Sequence, residues 1–190
     1  EYLNNTTNAY RGIDMDVSFS GGMHFLKIGS NGVAPSLAQG TTIVPGNATL
    51  AQTMSVALPD GSSLSVPITV GASASSAAHS LNEVLRNSGV RAEAKTQIEL
   101  FDFQSNGVVS FDLEVANRVP IEISADVTPT NLSNLAIALN KVSTETGVVA
   151  VTSNDKTRII LTSEDGDDIA ISKLGAASPL FFGRFVDDDG

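Results

Sequence analysis

Two kinds of side chain in this sequence could bind a metal ion. His24 and His79 lie far apart, and neither has a neighbouring His or Cys, so they do not form the closely spaced pair that binds zinc. Two acidic runs, residues 164–168 and residues 187–190, offer the hard oxygen ligands that calcium prefers. Neither run has the spacing of a twelve-residue calcium loop with a closing glutamate. We therefore interpret both runs as solvated polar segments and expect no metal site.

The residues needed for nucleophilic or cofactor chemistry do not occur in a recognisable pattern. The chain has no cysteine, which excludes thiol catalysis, disulfides and cysteine-ligated zinc. It contains no serine elbow, phosphate-binding loop or zinc-helix motif. Gly12, Gly21, Gly22 and Gly29 are spaced too irregularly for a dinucleotide fingerprint. We expect no enzyme activity, no catalytic or cofactor-binding residue and no cofactor.

The composition is that of an acidic folded protein. Among 190 residues, 21 acidic and 11 basic side chains give a formal net charge of −10. This charge repels nucleic-acid phosphates and anionic membrane surfaces, so we expect neither as a partner. The 42% hydrophobic content favours a packed core. The sequence contains no run of about 18 apolar residues, so we expect no membrane insertion. Since the first residue is Glu1 rather than methionine, we expect the chain to be part of a longer protein.

Alternating apolar and polar residues predict short strands along most of the chain. Turn residues at Gly21-Gly22, at 59–61 and at Asn106-Gly107 would join neighbouring strands into hairpins. Asn117-Arg118 and Asn154-Asp155 predict two further turns. The alternating residues Val90, Ala92 and Ala94 lead into the strand predicted over 97–103. The predicted strands cover residues 15–19, 23–28, 41–44, 54–58, 64–70, 97–103, 109–115, 119–123, 149–152 and 159–162.

Apolar residues spaced by three and four predict a first helix before Gly89. Either Ser75 or Ser76 could cap its first amides, and Gly89 suits a left-handed helix end. The helix is about three turns long, too short to be stable alone, so it must pack on a sheet. Its apolar stripe consists of Ala77, Leu81, Val84 and Leu85.

A second helix is predicted between Thr128 and Gly147. Thr128 would be its N-cap, and Pro129 would occupy the first helical position, where a missing N–H is tolerated. Truncating a central leucine of either helix to alanine is expected to cost about 2–5 kcal/mol, more than Asn82→Ala. The apolar stripe consists of Leu132, Leu135, Ala136, Leu139 and Val142.

The order of these elements indicates an internal duplication. Val66-Pro67-Ile68 matches Val119-Pro120-Ile121 at an offset of 53. Leu81 and Leu85 match Leu135 and Leu139 at an offset of 54, and Gly89-Val90 matches Gly147-Val148 at an offset of 58. The growing offset predicts a slightly longer second helix region.

The predicted fold class is α+β. We expect two tandem hairpin–helix–hairpin units, in which short helices pack on small antiparallel sheets. The first unit covers residues 51–107 and the second covers residues 108–175. Residues 1–50 would precede or complete the repeats, and residues 176–190 would form an acidic tail or linker.

The second unit resembles the insertion motif of bacterial flagellins and filament-cap proteins. The resemblance covers roughly residues 51–175, and the first unit is a weaker copy without the Leu-Thr-Ser ending. The residues that carry it are 119–123 (VPIEI), 132–140 (LSNLAIALN), 146–151 (TGVVAV), 158–163 (RIILTS), 166–171 (GDDIAI) and 173–175 (KLG).

The resemblance implies a structural, surface-exposed outer domain of the flagellar filament. Such a domain is extracellular, reaches the bacterial flagellum through the flagellar secretion channel without a cleaved leader, and has other flagellin subunits as partners. Flagellins polymerise through long terminal coiled-coil helices, and this chain has no sustained heptad pattern. We therefore expect that the isolated chain does not build filaments.

Two alternatives stay open. A filament-cap or hook-associated protein shares the same motif, and an adhesin-type module could contact a host surface or glycan, although few aromatic residues are available to stack on sugars. The resemblance also makes O-glycosylation conceivable, whereas capping explains Ser75 and Thr128 without sugar. The candidate hydroxyls are those of Ser73, Ser75, Ser76, Thr128 and Thr130, and Asn-x-Ser/Thr triplets include those that begin at Asn5, Asn47 and Asn131.

Overall fold

The computed structural model describes residues 12–20, 23–31, 49–58, 61–116 and 118–186. The strands are β1 (Gly12–Ser20), β2 (Met23–Asn31), β3 (Gln52–Ala57), β4 (Ser63–Ile68), β5 (Val90–Phe101), β6 (Gly107–Val115), β7 (Ile121–Val127), β8 (Val148–Thr152), β9 (Ile159–Ser163), β10 (Ile169–Ser172) and β11 (Phe182–Phe185). The helices are α1 (Ala74–Leu85), α2 (Ser133–Lys141) and the single turn α3 (Ser143–Thr146).

The first two predicted hairpins are confirmed. β1 pairs antiparallel with β2, and β3 pairs antiparallel with β4. Gly61 closes the second hairpin with a left-handed φ of +85°, which glycine adopts without steric cost. The strand predicted over residues 41–44 lies outside the described residues.

Helix α1 is confirmed, although its cap and its stripe differ from the prediction. Ser73, rather than Ser75 or Ser76, is the N-cap, and its Oγ accepts a hydrogen bond from the backbone N–H of Ser76. Val84 is 41% exposed, because α1 lies flat on β4 and β5 and buries a row of alanines instead. The buried face consists of Ala74, Ala77, Ala78, Leu81 and Leu85.

Strand β5 contains the alternating residues Val90, Ala92 and Ala94 together with most of the predicted strand over 97–103, as expected, whereas the hairpin expected at Asn106-Gly107 is wrong. β5 runs without interruption for 12 residues and pairs with β2, β9 and β11, but not with β6. The backbone turns at Asp102, with a φ of +54°, and Phe103 enters the core, so the chain crosses to a second sheet before β6 begins. Packing of Phe103 thus overrides the local turn signal.

The second half contains the predicted β6–β7 and β8–β9 hairpins, both antiparallel. The start predicted for helix α2 is wrong. Thr128 and Asn131 exchange backbone hydrogen bonds in a closed turn, which keeps Pro129 outside the helix. The Oδ1 atom of Asn131 accepts from the N–H of Ser133, so asparagine satisfies the first helical amide.

Residues 176–186 are part of the fold, and the interpretation of this stretch as a tail or linker does not hold. β11 pairs antiparallel with the end of β5. Phe181, which is 1% exposed, stacks on Phe103 at 4.6 Å between ring centroids and also contacts Phe111. The aromatic packing explains why this short apolar stretch folds back onto the sheet.

The second half forms a two-layer sandwich. One layer contains β11, β5, β9 and β8, and the other contains β10, β6 and β7. Helix α2 contacts both β7 and β8 and so closes one side of the sandwich. The buried core between the layers includes Phe111, Leu113, Leu135, Leu139 and Leu161.

A smaller core lies between α1, the β3–β4 hairpin and the first half of β5. β5 joins the two cores, since Ala92 belongs to the smaller one and Ile98 and Leu100 belong to the larger one. Thr96 and its cross-strand partner Ser163 are both buried. They lie between the two cores and interrupt the apolar interior there. The structure is therefore a mixed α+β fold of small, mostly antiparallel sheets with few short helices, as predicted; the β2–β5 pairing is parallel.

The buried face of α2 should dominate its contribution to stability. We expect Leu135→Ala to lower the free energy of unfolding by about 2–5 kcal/mol, because it opens a cavity at a fully buried position. Ile137→Ala on the same helix is the matched control: Ile137 is 55% exposed, so its truncation should cost less than about 1 kcal/mol. Urea unfolding of both variants measures the difference, and equal losses would contradict the assigned helix face.

Candidate functional site

The sequence predicts no catalytic, cofactor-binding or metal-binding residue, and the two histidines lie on different elements. His79 is exposed on α1, and His24 lies on β2. Within the described residues, no group of three or more His, Asp or Glu side chains converges as metal ligands would. A groove of about 500 Å³ beside α1 is lined by both cations and carboxylates, which favours no single class of ligand. Its titratable lining residues are His79, Arg91, Glu93, Lys95, Glu164 and Asp165.

The acidic run at 164–168 is a structural turn that joins the two halves of the chain. The carbonyl of Gly166 accepts a hydrogen bond from the N–H of Ser75, at 2.9 Å, in the first turn of α1. Asp167 lies 3.8 Å from Arg118, and its N–H donates to the Oγ of Ser163. A Cβ on Gly166 would lie 2.3 Å from the Cβ of Ala94, so only glycine allows this approach. The second acidic run, 187–190, lies outside the described residues.

Each larger helix holds the following strand through one asparagine. The Nδ2 of Asn140 donates to the carbonyl of Ala150, and the N–H of Ala150 donates to the Oδ1 of Asn140, both at 2.8 Å. Asn82 and Ala92 make the same two bonds at the same two distances. In both cases the side-chain amide pairs with the strand edge as a neighbouring strand would. We call this arrangement the helix-to-strand clamp.

A hydroxyl next to each clamp protects the same strand edge. The Oγ1 of Thr146 accepts from the N–H of Val148, and the Oγ of Ser88 accepts from the N–H of Val90. Each hydroxyl also donates to a carbonyl of the preceding helical turn. The strand that leaves each helix therefore starts with its free N–H groups occupied.

The clamps correct the helix alignment drawn from the sequence. Asn82 corresponds to Asn140, and each lies ten residues before its alanine. Leu81 therefore corresponds to Leu139 rather than to Leu135, and the offset of 58 seen at the glycines already applies within the helices. Asn82 precedes Gly89 by the same number of residues as Asn140 precedes Gly147, so the sequence alone could have shown this alignment of the helices. Because Asn82 makes two hydrogen bonds, Asn82→Ala is not a neutral control for the leucine-to-alanine substitutions, contrary to expectation.

A buried carboxylate connects three strands of the larger sheet. Glu99 on β5 is 4% exposed, and its carboxylate accepts from the Nε of Arg184 on β11, at 2.6 Å. Arg158, which precedes β9, lies 3.3 Å from the other carboxylate oxygen. The guanidinium of Arg184 also lies 5.1 Å from the ring centre of Phe101. Two arginines thus neutralise one carboxylate and retain a net positive charge at this position.

The same outward face of the larger sheet also exposes apolar side chains. Val149 and Val151 on β8 are 49% and 59% exposed. Strand pairing places Val151, Ile160 and Glu99 in one row across β8, β9 and β5. We call this surface the valine–arginine face. It consists of Val149, Val151, Ile160, Arg158, Arg184 and Phe182.

The outward face of the smaller sheet has the opposite charge. Asp112 and Glu122 lie directly opposite each other on β6 and β7, and four carboxylates share this side of the sheet. Lys173 pairs with Asp112 at 2.7 Å, and this hydrogen bond raises the pKa of Lys173. We call this surface the acidic face. It consists of Asp112, Glu114, Glu122 and Asp126.

The turn between β8 and β9 contains the one strongly shifted carboxyl among the described residues. Asp155 accepts hydrogen bonds from the Oγ of Ser153 and the N–H of Thr157, and these lower the pKa of Asp155 to about 2. The group is fully exposed and organises a turn, so the shift does not mark a reactive site.

Comparisons with known protein families and with curated proteins found no match for this chain. In the part of the chain that the structure describes, no helix has both the length and the apolar character needed to cross a membrane. The candidate functional features are therefore the two opposed sheet faces and the groove beside α1.

The helix-to-strand clamp should contribute measurably to stability. We expect Asn140→Ala to lower the free energy of unfolding by about 1–3 kcal/mol, because it leaves the N–H and carbonyl of Ala150 without partners. Asn82→Ala should cost a similar amount, since its geometry is the same. Asn134→Ala, which removes one exposed bond of 3.3 Å, is the control and should cost less than about 0.5 kcal/mol. Equal melting of all three variants would show that the clamps are incidental.

The pairing of Glu99 should matter because its carboxylate is buried. We expect Arg184→Met to destabilise the protein by about 1–3 kcal/mol, since the carboxylate loses its closest charged donor. Glu99→Gln added to Arg184→Met should then recover part of the loss, because a neutral amide is less costly to bury. If the double variant is no more stable than Arg184→Met alone, burial of the Glu99 charge is not the cause.

Proposed function

We propose that this chain is a surface-exposed outer domain of a bacterial flagellin, a structural part of the flagellar filament without catalytic activity. In this proposal the domain is extracellular, and its partners are other flagellin subunits. The observation that carries the proposal is the recurrence of the helix-to-strand clamp in both halves, at the positions where the sequence resembles the flagellin insertion motif.

We further propose that the chain contains two tandem copies of a hairpin–helix–hairpin unit, over residues 51–107 and 108–175. The matched clamps, the matched hydroxyls of Ser88 and Thr146, and left-handed glycines at 89 and 147 support a duplication. The copies have diverged after the helix. In the first copy the single strand β5 stands in place of the second hairpin, and it pairs antiparallel with β9 of the second copy and with β11.

The residues of the resemblance have definite structural roles, which supports its use as a motif. Leu135 and Leu139 fill the core, and Asn140 forms the clamp. Leu174 is buried, and the N–H of Gly175 donates to the carbonyl of Ser110. A Cβ on Gly175 would lie 2.2 Å from the Oγ of Ser110, so the Ser110 side chain would have to rotate to admit one. The pattern thus describes one packed unit rather than scattered similar residues.

The charge distribution is also compatible with a displayed domain. A net charge of −10 keeps copies soluble when many are held close together on one filament. The groove beside α1 mixes both signs of charge and so favours no single class of substrate. These features support a structural role over an enzymatic one.

A glycan-binding adhesin module is the second candidate. Phe182, which is 37% exposed, stacks on Phe101 at 5.9 Å between ring centroids, and Arg184 lies beside the pair. Aromatic rings next to a polar side chain can stack on the apolar side of a sugar. The two rings present a small surface, so we rank this function below the structural one. A filament-cap or hook-associated protein is a third alternative because it would carry the same motif.

The position of the protein on intact cells tests the proposal. We expect gold-labelled antibodies raised against this chain to mark the whole length of the filaments of the cells that make it. Label confined to the filament tip would indicate a cap protein, and label at the filament base would indicate a hook-associated protein. Label only on the cell body, or none outside the cell, would overturn the flagellar assignment. Specific, saturable binding on a glycan array would instead support the adhesin.

A further inference from the structure

The valine–arginine face differs from the rest of this acidic chain. An antiparallel sheet can expose one face to water, and such a face normally carries polar residues. Here Val149 and Val151 are about half exposed, and the exposed charges between the strands are the guanidinium groups of Arg158 and Arg184, because the carboxylate of Glu99 that they contact is buried. Asp155, in the turn beside this face, also interacts with Arg158. A surface that combines exposed β-branched residues with a positive charge fits an acidic partner that is itself flat.

The acidic face supplies such a surface on the same molecule. Asp112, Glu114, Glu122 and Asp126 point outward, because the residues alternating with them on β6 and β7 are buried in the core. Lys173 neutralises only one of the four carboxylates. Val108, which is 49% exposed and lies opposite Asp126 on the neighbouring strand, adds an apolar contact to this face.

The two faces belong to opposite layers of one sandwich, so they point in opposite directions. One copy therefore cannot bring its own two faces together, whereas two copies can. We propose that the valine–arginine face of one copy docks on the acidic face of a second copy, head to tail. Two identical faces would place like charges against each other, which disfavours a symmetric dimer. A head-to-tail contact leaves one free face at each end, so further copies can add to form short, transient runs rather than a stable filament.

The size of the faces predicts a weak contact. Three strands about 4.8 Å apart and about six residues long cover roughly 300 Å². Stable complexes bury about 800 Å² on each partner, so this contact should form only at high protein concentration. It does not depend on the flagellar assignment, and it would act in any setting where many copies are held close together.

Sedimentation velocity at protein concentrations from micromolar to about millimolar tests the proposal. The average mass of the unmodified protein should rise with concentration, and the rise should weaken as added salt screens the charges. Val151→Glu should abolish the rise by damaging the valine–arginine face, and Glu122→Lys should abolish it by damaging the acidic face. Ile137→Glu and Glu145→Lys make the same changes at exposed positions away from both faces and should leave the association unchanged.

Mixing the two damaged variants distinguishes a head-to-tail contact from other association. Each variant keeps the face that the other has lost, so an equimolar mixture of Val151→Glu and Glu122→Lys should form dimers but no longer chains. Val149→Glu and Asp126→Lys replace any variant that circular dichroism shows to be unfolded. A mass independent of concentration, association of the separate variants at the unmodified level, or a mixture that stays monomeric would each overturn the proposal.

Discussion

Strand β5 is the element on which both hydrophobic cores depend. Its 12 residues form one uninterrupted strand, whose first half covers the smaller core and whose second half lies at the centre of the larger sheet. Its second half has antiparallel neighbours on both edges, β9 and β11. Backbone hydrogen bonds on both edges therefore hold this part of β5 in place. Because β5 belongs to both cores, the two halves of the chain are joined through a shared strand as well as through loops.

Several polar side chains in this fold form hydrogen bonds with backbone groups at strand edges. Asn82 and Asn140 occupy strand edges that would otherwise present free N–H and carbonyl groups, and each does so from a helix that also covers that edge. An open edge is a template for pairing with other chains, so covering it favours a soluble, well-defined unit. With these two edges occupied, the two outward faces of the sandwich are the larger surfaces that we consider for contact. The arginines lie on one layer and the unpaired carboxylates on the other.

Much of the local structure could be predicted from the sequence because the controlling interactions are local. Strands with period-two alternation were found to within a few residues, and Gly61, Gly89 and Gly147 take the left-handed conformations expected of them. The errors arose where distant residues decided the outcome. Phe181 draws the chain after β5 into the core and removes the Asn106-Gly107 hairpin, and the Thr128–Asn131 turn displaces the predicted helix start.

The sequence by itself determined the fold class, the order of most elements before residue 176 and the surplus of negative charge, since these follow from residue type and periodicity. Only the tertiary structure decided which strands are neighbours, how Glu99 is neutralised, and that the valine–arginine face and the acidic face lie on opposite sides. Strand pairing over long sequence separations depends on how whole layers pack, and periodicity carries no information about that choice. For the same reason the two faces, built from strands far apart in the chain, could not be recognised as surfaces before the sheets were assembled.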